Sequence, residues 1–182
     1  MANRSGAIGT KAETAVVKAA QSRGFPHADR LRLSGTDDRG DVRLTPTLTA
    51  GVIAEVKGGE MARSASENRI YGWLVEAERE RLAAGADISI LVVQRRGVGE
   101  RNAHRWWCYL TMHTLRRLVL TIEDTSFNGP YYDGADEWPE EDVGSLFFPV
   151  RLTLEEVLWL LRLAGWGAPF EEPLEDYGVR NR

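Results

Sequence analysis

Four side chains in this sequence are of types that act together on phosphate: Glu13, Asp41, Glu55 and Lys57. Glu55 and Lys57 lie in Gly51-Val52-Ile53-Ala54-Glu55-Val56-Lys57, an apolar run that Gly58-Gly59 stops, and it reads as a strand. Strand side chains alternate between faces, so Ile53, Glu55 and Lys57 share one face, with Val52, Ala54 and Val56 on the other. In Asp41-Val42-Arg43-Leu44, Asp41 is opposite in pattern to Val42 and Leu44 and can point toward the Glu55 face. Burying such groups unpaired costs on the order of several kcal/mol each. The placement therefore calls for a partner, a metal or water access. Carboxylates are hard ligands for Mg²⁺ or Mn²⁺. A metal held there would activate water and neutralise charge on a phosphate, and an ammonium beside it would stabilise the pentacovalent phosphate or position the attacking water. The plain alternative is an ion pair of Glu55 with Lys57 on an edge strand, and a Glu13 that only caps a helix.

The elements that must position these groups are legible in outline. Thr10 to Arg23 reads as a helix, with Thr10 and Glu13 forming a capping box and Ala12, Val16, Ala19 and Ala20 its apolar stripe. Glu13 sits at the margin of that stripe. Gly24 ends the helix. Short strands are expected at Arg30–Leu33 and Asp41–Leu44, flanking the turn-rich loop from Ser34 to Gly40. A long helix, Ala65 to Ala84, is expected to bury Ile70, Trp73, Leu74, Ala77 and Leu82. Ile88–Val93 is apolar throughout, as a central strand covered on both faces should be. Arg105–Met112 reads as another strand, and His113–Leu118 as the start of a short helix. Further on, Phe147–Leu152 reads as an edge strand, and Thr153-Leu154-Glu155-Glu156 opens a helix to Ala164 that is apolar almost all round. The order α-β-β-β-α-β-β predicts an α/β sandwich around a mixed sheet.

Gly40-Asp41-Val42 followed by Glu55-Val56-Lys57, in this order of elements, resembles the PD-(D/E)xK nuclease superfamily. Glu13 on an N-terminal helix, Gly24-Phe25 at its end and Ser34-Gly35 in the next loop resemble its Holliday junction resolvase-like branch, which includes archaeal and phage members. The resemblance covers about residues 5–118. It implies a restriction-endonuclease-like α/β/α sandwich with a central mixed sheet, and a metal-dependent endodeoxyribonuclease acting on branched DNA. Asp41 and Glu55 would be metal ligands, with the Val56 carbonyl a possible third. Lys57 would be the catalytic lysine, and Glu13 a carboxylate reaching Mg²⁺ or Mn²⁺ directly or through water. A homodimer with two active sites is implied as well. The family often has Pro before the Asp; here it is Gly40. A restriction- or flap-type nuclease of the same fold is the nearest alternative, and a non-catalytic DNA-binding or assembly module the alternative from another class.

Arginines supply the candidate DNA contacts. Gln94 to Arg105 is a Gly-rich segment carrying Arg95, Arg96, Arg101 and Arg105, while Arg39 and Arg43 flank Asp41. Guanidinium groups suit bidentate phosphate contacts. Of Trp106 and Trp107, adjacent and so on opposite faces, at least one is expected in the core; a free one would stack on unpaired bases. The run Arg79-Glu80-Arg81 reads as a solvated helix face. Lysine is rare, 3 against 20 Arg, so its retention at 57 favours a need for an amine.

Composition bounds the rest. The chain has 182 residues, 43% hydrophobic and 27% charged, as expected of a globular protein. No apolar run is long enough to span a membrane, and the first residues lack the core of a signal peptide. Cys108 stands alone, and His27, His104 and His113 lack paired metal-ligand spacing. A reducing, cytoplasmic setting in a bacterium or phage-infected cell is expected. The net charge of −4 is unevenly spread: residues 1–119 hold 19 Lys+Arg and 13 Asp+Glu, while residues 120–182 hold 4 and 14. That division predicts a basic nuclease-like domain, 1–119, and an acidic extension, 120–182, used for packing or dimerisation.

Overall fold

The structure, a computed structural model, describes residues 4–31, 40–123 and 148–170. One six-stranded mixed sheet runs through all three stretches, with its strands adjacent in chain order. The elements are α1 (Arg4–Gln21), β1 (Asp29–Arg30), β2 (Val42–Arg43), β3 (Val52–Lys57), α2 (Glu60–Arg63), α3 (Glu67–Ala84), β4 (Ile88–Val93), a 3₁₀ turn (Glu100–Arg105), β5 (Trp107–Thr111), α4 (Met112–Glu123), β6 (Pro149–Thr153) and α5 (Leu154–Leu163). β3 and β4 pair in parallel across the α3 crossover, and the other four pairings are antiparallel. Among the described residues no helix is long and apolar enough to cross a membrane.

Helices cover both faces of the sheet. On one, Val42, Ala54, Val56, Ile90, Val92, Cys108 and Leu110 meet Val16 and Ala20 of α1 and Leu154, Leu158 and Leu161 of α5. On the other, Leu91 and Val93 meet Ala62, Ile70 and Leu74. β4 is buried at all six positions, which is why its sequence shows no alternation. Cys108 is buried and free, a packing residue as its aromatic surroundings suggest.

Several boundaries differ from the sequence expectation. α1 starts at Arg4, before Thr10, so Thr10 lies inside the helix, where its carbonyl accepts the Thr14 hydroxyl. The Thr10-x-x-Glu13 spacing is thus no capping box. Ser66 precedes α3 without a side-chain cap, and the short α2 before it is an addition. Leu82 is 69% exposed; the buried stripe runs Ile70, Leu74, Ala77, and its next place falls at Arg81. That guanidinium stays half-buried by donating to Glu78 and to the Ala86 carbonyl. The second half of the Gln94–Arg105 loop is 3₁₀ turn. The helix after β5 runs on to Glu123.

The described C-terminal residues, 148–170, are integral to the core. β6 pairs with β5 over five residues, and α5 shares its core with α1. The capping box at Thr153 is formed: Glu156 N–H donates to the Thr153 hydroxyl, and the Glu156 carboxylate accepts from Thr153 N–H. Ser34, Gly35, Arg39 and most of the acidic stretch, 124–147 and 171–182, lie outside the described residues.

Candidate active site

Asp41 stands one residue before β2 and is held by its backbone on both sides. Its carbonyl accepts Leu31 N–H at 2.8 Å, and its N–H donates to the Ala54 carbonyl at 3.2 Å. Val42 is opposite Ala54 in the β2–β3 register, so Asp41 falls opposite Glu55, on the same face. Its Oδ2 accepts the Val56 N–H at 2.8 Å. It is therefore the amide of Val56 that the site is seen to use. Gly40 sets up this entry with φ of +87°. Proline, fixed near −65°, has no access to that conformation, so the turn before Asp41 depends on glycine.

Glu55 and Lys57 share the opposite strand's face, as the alternation predicts. Lys57 Nζ is 2.5 Å from Glu55 Oε1 and 3.6 Å from Glu76 Oε2 on α3. It also lies 5.7 Å from the Trp73 ring centre, within cation–π reach. Glu55 is only 6% exposed, and the Glu80 carboxyl bears on it from α3. Trp73, Glu76 and Glu80 project from one side of α3, three and four residues apart. The expectation of a solvated face at 79–81 is corrected here: Arg79 is exposed, but Glu80 turns inward to Glu55 and Arg81 takes the buried stripe. Glu76 and Glu80 are the site residues that sequence reasoning missed. Their i, i+4 spacing beside Trp73 is the signal, but it acquires meaning only once α3 is seen to lie over β3.

Both strand carboxyls titrate late. Burial pushes Asp41 up to about 7, helped by the neighbouring charges of Glu55 and Glu13 and opposed by the Val56 amide and Lys57. Burial likewise pushes Glu55 up to about 7, with Lys57 opposing and Glu80 adding to the rise. For Lys57, burial works against the charge, but Glu55, Glu76 and Asp41 outweigh it, and its pKa is raised. Lys57 is thus a fixed ammonium.

Comparison with protein families, curated proteins and solved structures finds no match to this chain.

Glu13 is brought near but not into the pair. Its carboxylate accepts Arg30 Nε at 2.6 Å, while its charge still bears on Asp41. Among the described residues no three His, Cys, Asp or Glu side chains are grouped closely enough to enclose a metal. The donor set nonetheless fits Mg²⁺ or Mn²⁺. A buried carboxyl, Glu55, and a half-buried one, Asp41, that resist ionising beside each other are relieved by a cation. Mg²⁺ needs only one or two carboxylates, completing its shell with waters and substrate phosphate.

The candidate DNA contacts sort into three kinds. Arg43 is tied to its own turn, donating to the Pro46 carbonyl at 2.6 Å. Arg96, Arg101 and Arg105 are exposed, and Arg101 lines a cleft of about 410 Å³ with Lys11 and Lys18 of α1. Arg95 stacks on Trp107, its guanidinium carbon 4.1 Å from the ring centre. Trp106 is fully buried and donates its indole N–H to the Val98 carbonyl.

Proposed function

We propose that this chain is a metal-dependent endodeoxyribonuclease of the PD-(D/E)xK kind, with a restriction-endonuclease-like core, acting on branched DNA. The observation that carries this reading is the convergence of Asp41, Glu55 and Lys57 about the Val56 amide, at the end of the strand that pairs in parallel with β4. Asp41 and Glu55 would hold Mg²⁺ or Mn²⁺. Such an ion, when bound, supplies Lewis acidity toward water and phosphate.

Each protein group then has a defined task. The Val56 amide orients the Asp41 carboxylate and lowers the cost of its charge. Lys57, kept protonated by Glu55 and Glu76, neutralises charge gathering on the phosphoryl oxygens as water attacks phosphorus and the ester oxygen departs. It cannot serve as a base while it carries its proton. Glu80 competes with Lys57 for Glu55 and so tunes when Glu55 ionises. The exposed arginines of the 3₁₀ turn add phosphate contacts that position the strand.

The test is a panel of four-way junction, flap and linear duplex with Mg²⁺. The reading expects cleavage of at least one substrate by wild type and none by Asp41→Ala. Equal behaviour of the two proteins on every substrate overturns it. Preference within the panel separates a junction resolvase from a flap- or restriction-type nuclease.

A further inference from the structure

The α3 face of the sheet continues past the candidate site onto β5 and β6. Lys57 is level with Val93, Val93 with Trp107, and Trp107 with Thr153. Trp107 therefore stands in the same row as Lys57, on the same face, two strands away, roughly 10 Å. Two guanidinium groups meet its ring: Arg95 at 4.1 Å and Arg151 at 4.6 Å from the ring centre. The Arg151 charge also bears on the neighbouring Tyr109 hydroxyl. Among the described residues neither arginine is in an ion pair.

Two like charges drawn to one ring repel each other, and stacking occupies their planes while leaving N–H edges for an anion. Beside them opens a groove of about 790 Å³ between the start of α3 and the strands β5 and β6. Its walls carry flat rings, Tyr71, Tyr109 and Phe148, with Glu67 the one acid among its described lining residues. Tyr71 is 47% and Phe148 64% exposed, so both rings are open to a stacking base.

We propose that this surface holds an unpaired DNA strand leading to the Lys57 site, with phosphates on Arg95 and Arg151 and bases against the rings of the groove. The inference rests on the nuclease reading above and narrows its substrate to DNA with a single-stranded arm. A duplex keeps its bases stacked inside and presents only phosphates, so aromatic walls reward an unpaired strand specifically.

The test uses the full chain without divalent metal and follows fluorescence anisotropy of a labelled oligothymidylate and of a blunt duplex. Arg95→Ala/Arg151→Ala and, separately, Tyr71→Ala/Phe148→Ala are expected to weaken oligothymidylate binding at least about tenfold and duplex binding far less. The arginine pair should also reduce the slope of log K against log salt by about 1.4, two single-strand phosphate contacts' worth. Thermal melting checks that the variants stay folded. Unchanged oligothymidylate binding, or equal weakening of both ligands, overturns the proposal. Cleavage is scored separately: a wild type that cuts nothing yet binds the oligonucleotide through these arginines defeats the nuclease reading and leaves this surface standing. A wild type that cuts DNA with oligonucleotide binding unmoved does the reverse.

Discussion

The Val56 amide donates to Asp41 Oδ2 at 2.8 Å, so the peptide between Glu55 and Lys57 fixes the carboxylate that faces them. Three groups from two chain segments are thereby held by one backbone bond and one strand pairing. The arrangement costs stability when the acids ionise. Asp41 and Glu55 both have carboxyls raised to about 7, so between their unfolded values near 4 and about 7 the folded chain binds more protons than the unfolded one. Their contribution is complete below about pH 4 and lost as pH rises through 7. Unfolding free energy in urea should fall across that window by an amount on the order of a few kcal/mol. Asp41→Asn should flatten the fall, and Mn²⁺ should suppress it in wild type but not in the variant. A stability that rises from pH 5 to 8 without metal would contradict the raised values.

Lys57 and Asp41 should separate when binding and chemistry are measured apart. Lys57→Met removes a charge that acts on the reacting phosphate, so single-turnover cleavage should slow about 10²–10³-fold. Mn²⁺ titration by calorimetry should still show a site, because both carboxylates remain. Asp41→Ala should lose both. Lys57→Arg should not restore the rate, since a planar fork does not replace an ammonium held between Glu55, Glu76 and the Trp73 ring. Full activity in Lys57→Met would remove this lysine from the mechanism.

Glu80 makes a subtler prediction. Its carboxyl bears on Glu55, and its charge holds the Glu55 proton on. Glu80→Gln keeps the shape and removes the charge, and its amide can donate to the Glu55 carboxylate. Glu55 should then ionise at lower pH, moving the acidic limb of the pH–rate profile down. Glu76→Gln, which touches Lys57 instead, should leave that limb in place. Identical shifts in the two variants would mean that general surface charge is being read.

Strands carried most of the legible information. β3 and β4 announce themselves by apolar runs closed by glycine or polar residues, and the period of two puts Glu55 beside Lys57 without reference to anything else in the chain. Helix registers were harder. Which way α3 presents Glu76 and Glu80 depends on how it rolls on the sheet, and a long-range packing choice of that kind leaves no local mark. Leu82 and Arg81 show the same difficulty: hydrophobicity favoured the leucine, but the stripe's geometry and two hydrogen bonds admitted the arginine. The capping signal at Thr10 failed and the one at Thr153 succeeded for a related reason. A box is real only where the helix begins, and α1 begins at Arg4, through Gly6 and Gly9, which local propensity disfavours in a helix.

Net charge marks a boundary near residue 119, but packing does not respect it. Leu154, Val157, Leu158 and Leu161 of α5 are fully buried against the face that α1 also covers, and β6 supplies the Thr153 row next to Trp107. A chain ending at residue 119 would leave that core face bare and β5 with an unpaired edge. It should therefore fail to give a cooperative urea transition. Within the full chain, Leu158→Ala should cost about 2–5 kcal/mol, as deletion of a buried leucine side chain generally does. Trp159→Ala, one residue on and 42% exposed, should cost much less. If instead the chain ending at residue 119 unfolds cooperatively with Leu158→Ala near neutral in the whole protein, then β6 and α5 are an appendage, and the site's supporting sheet ends at β5.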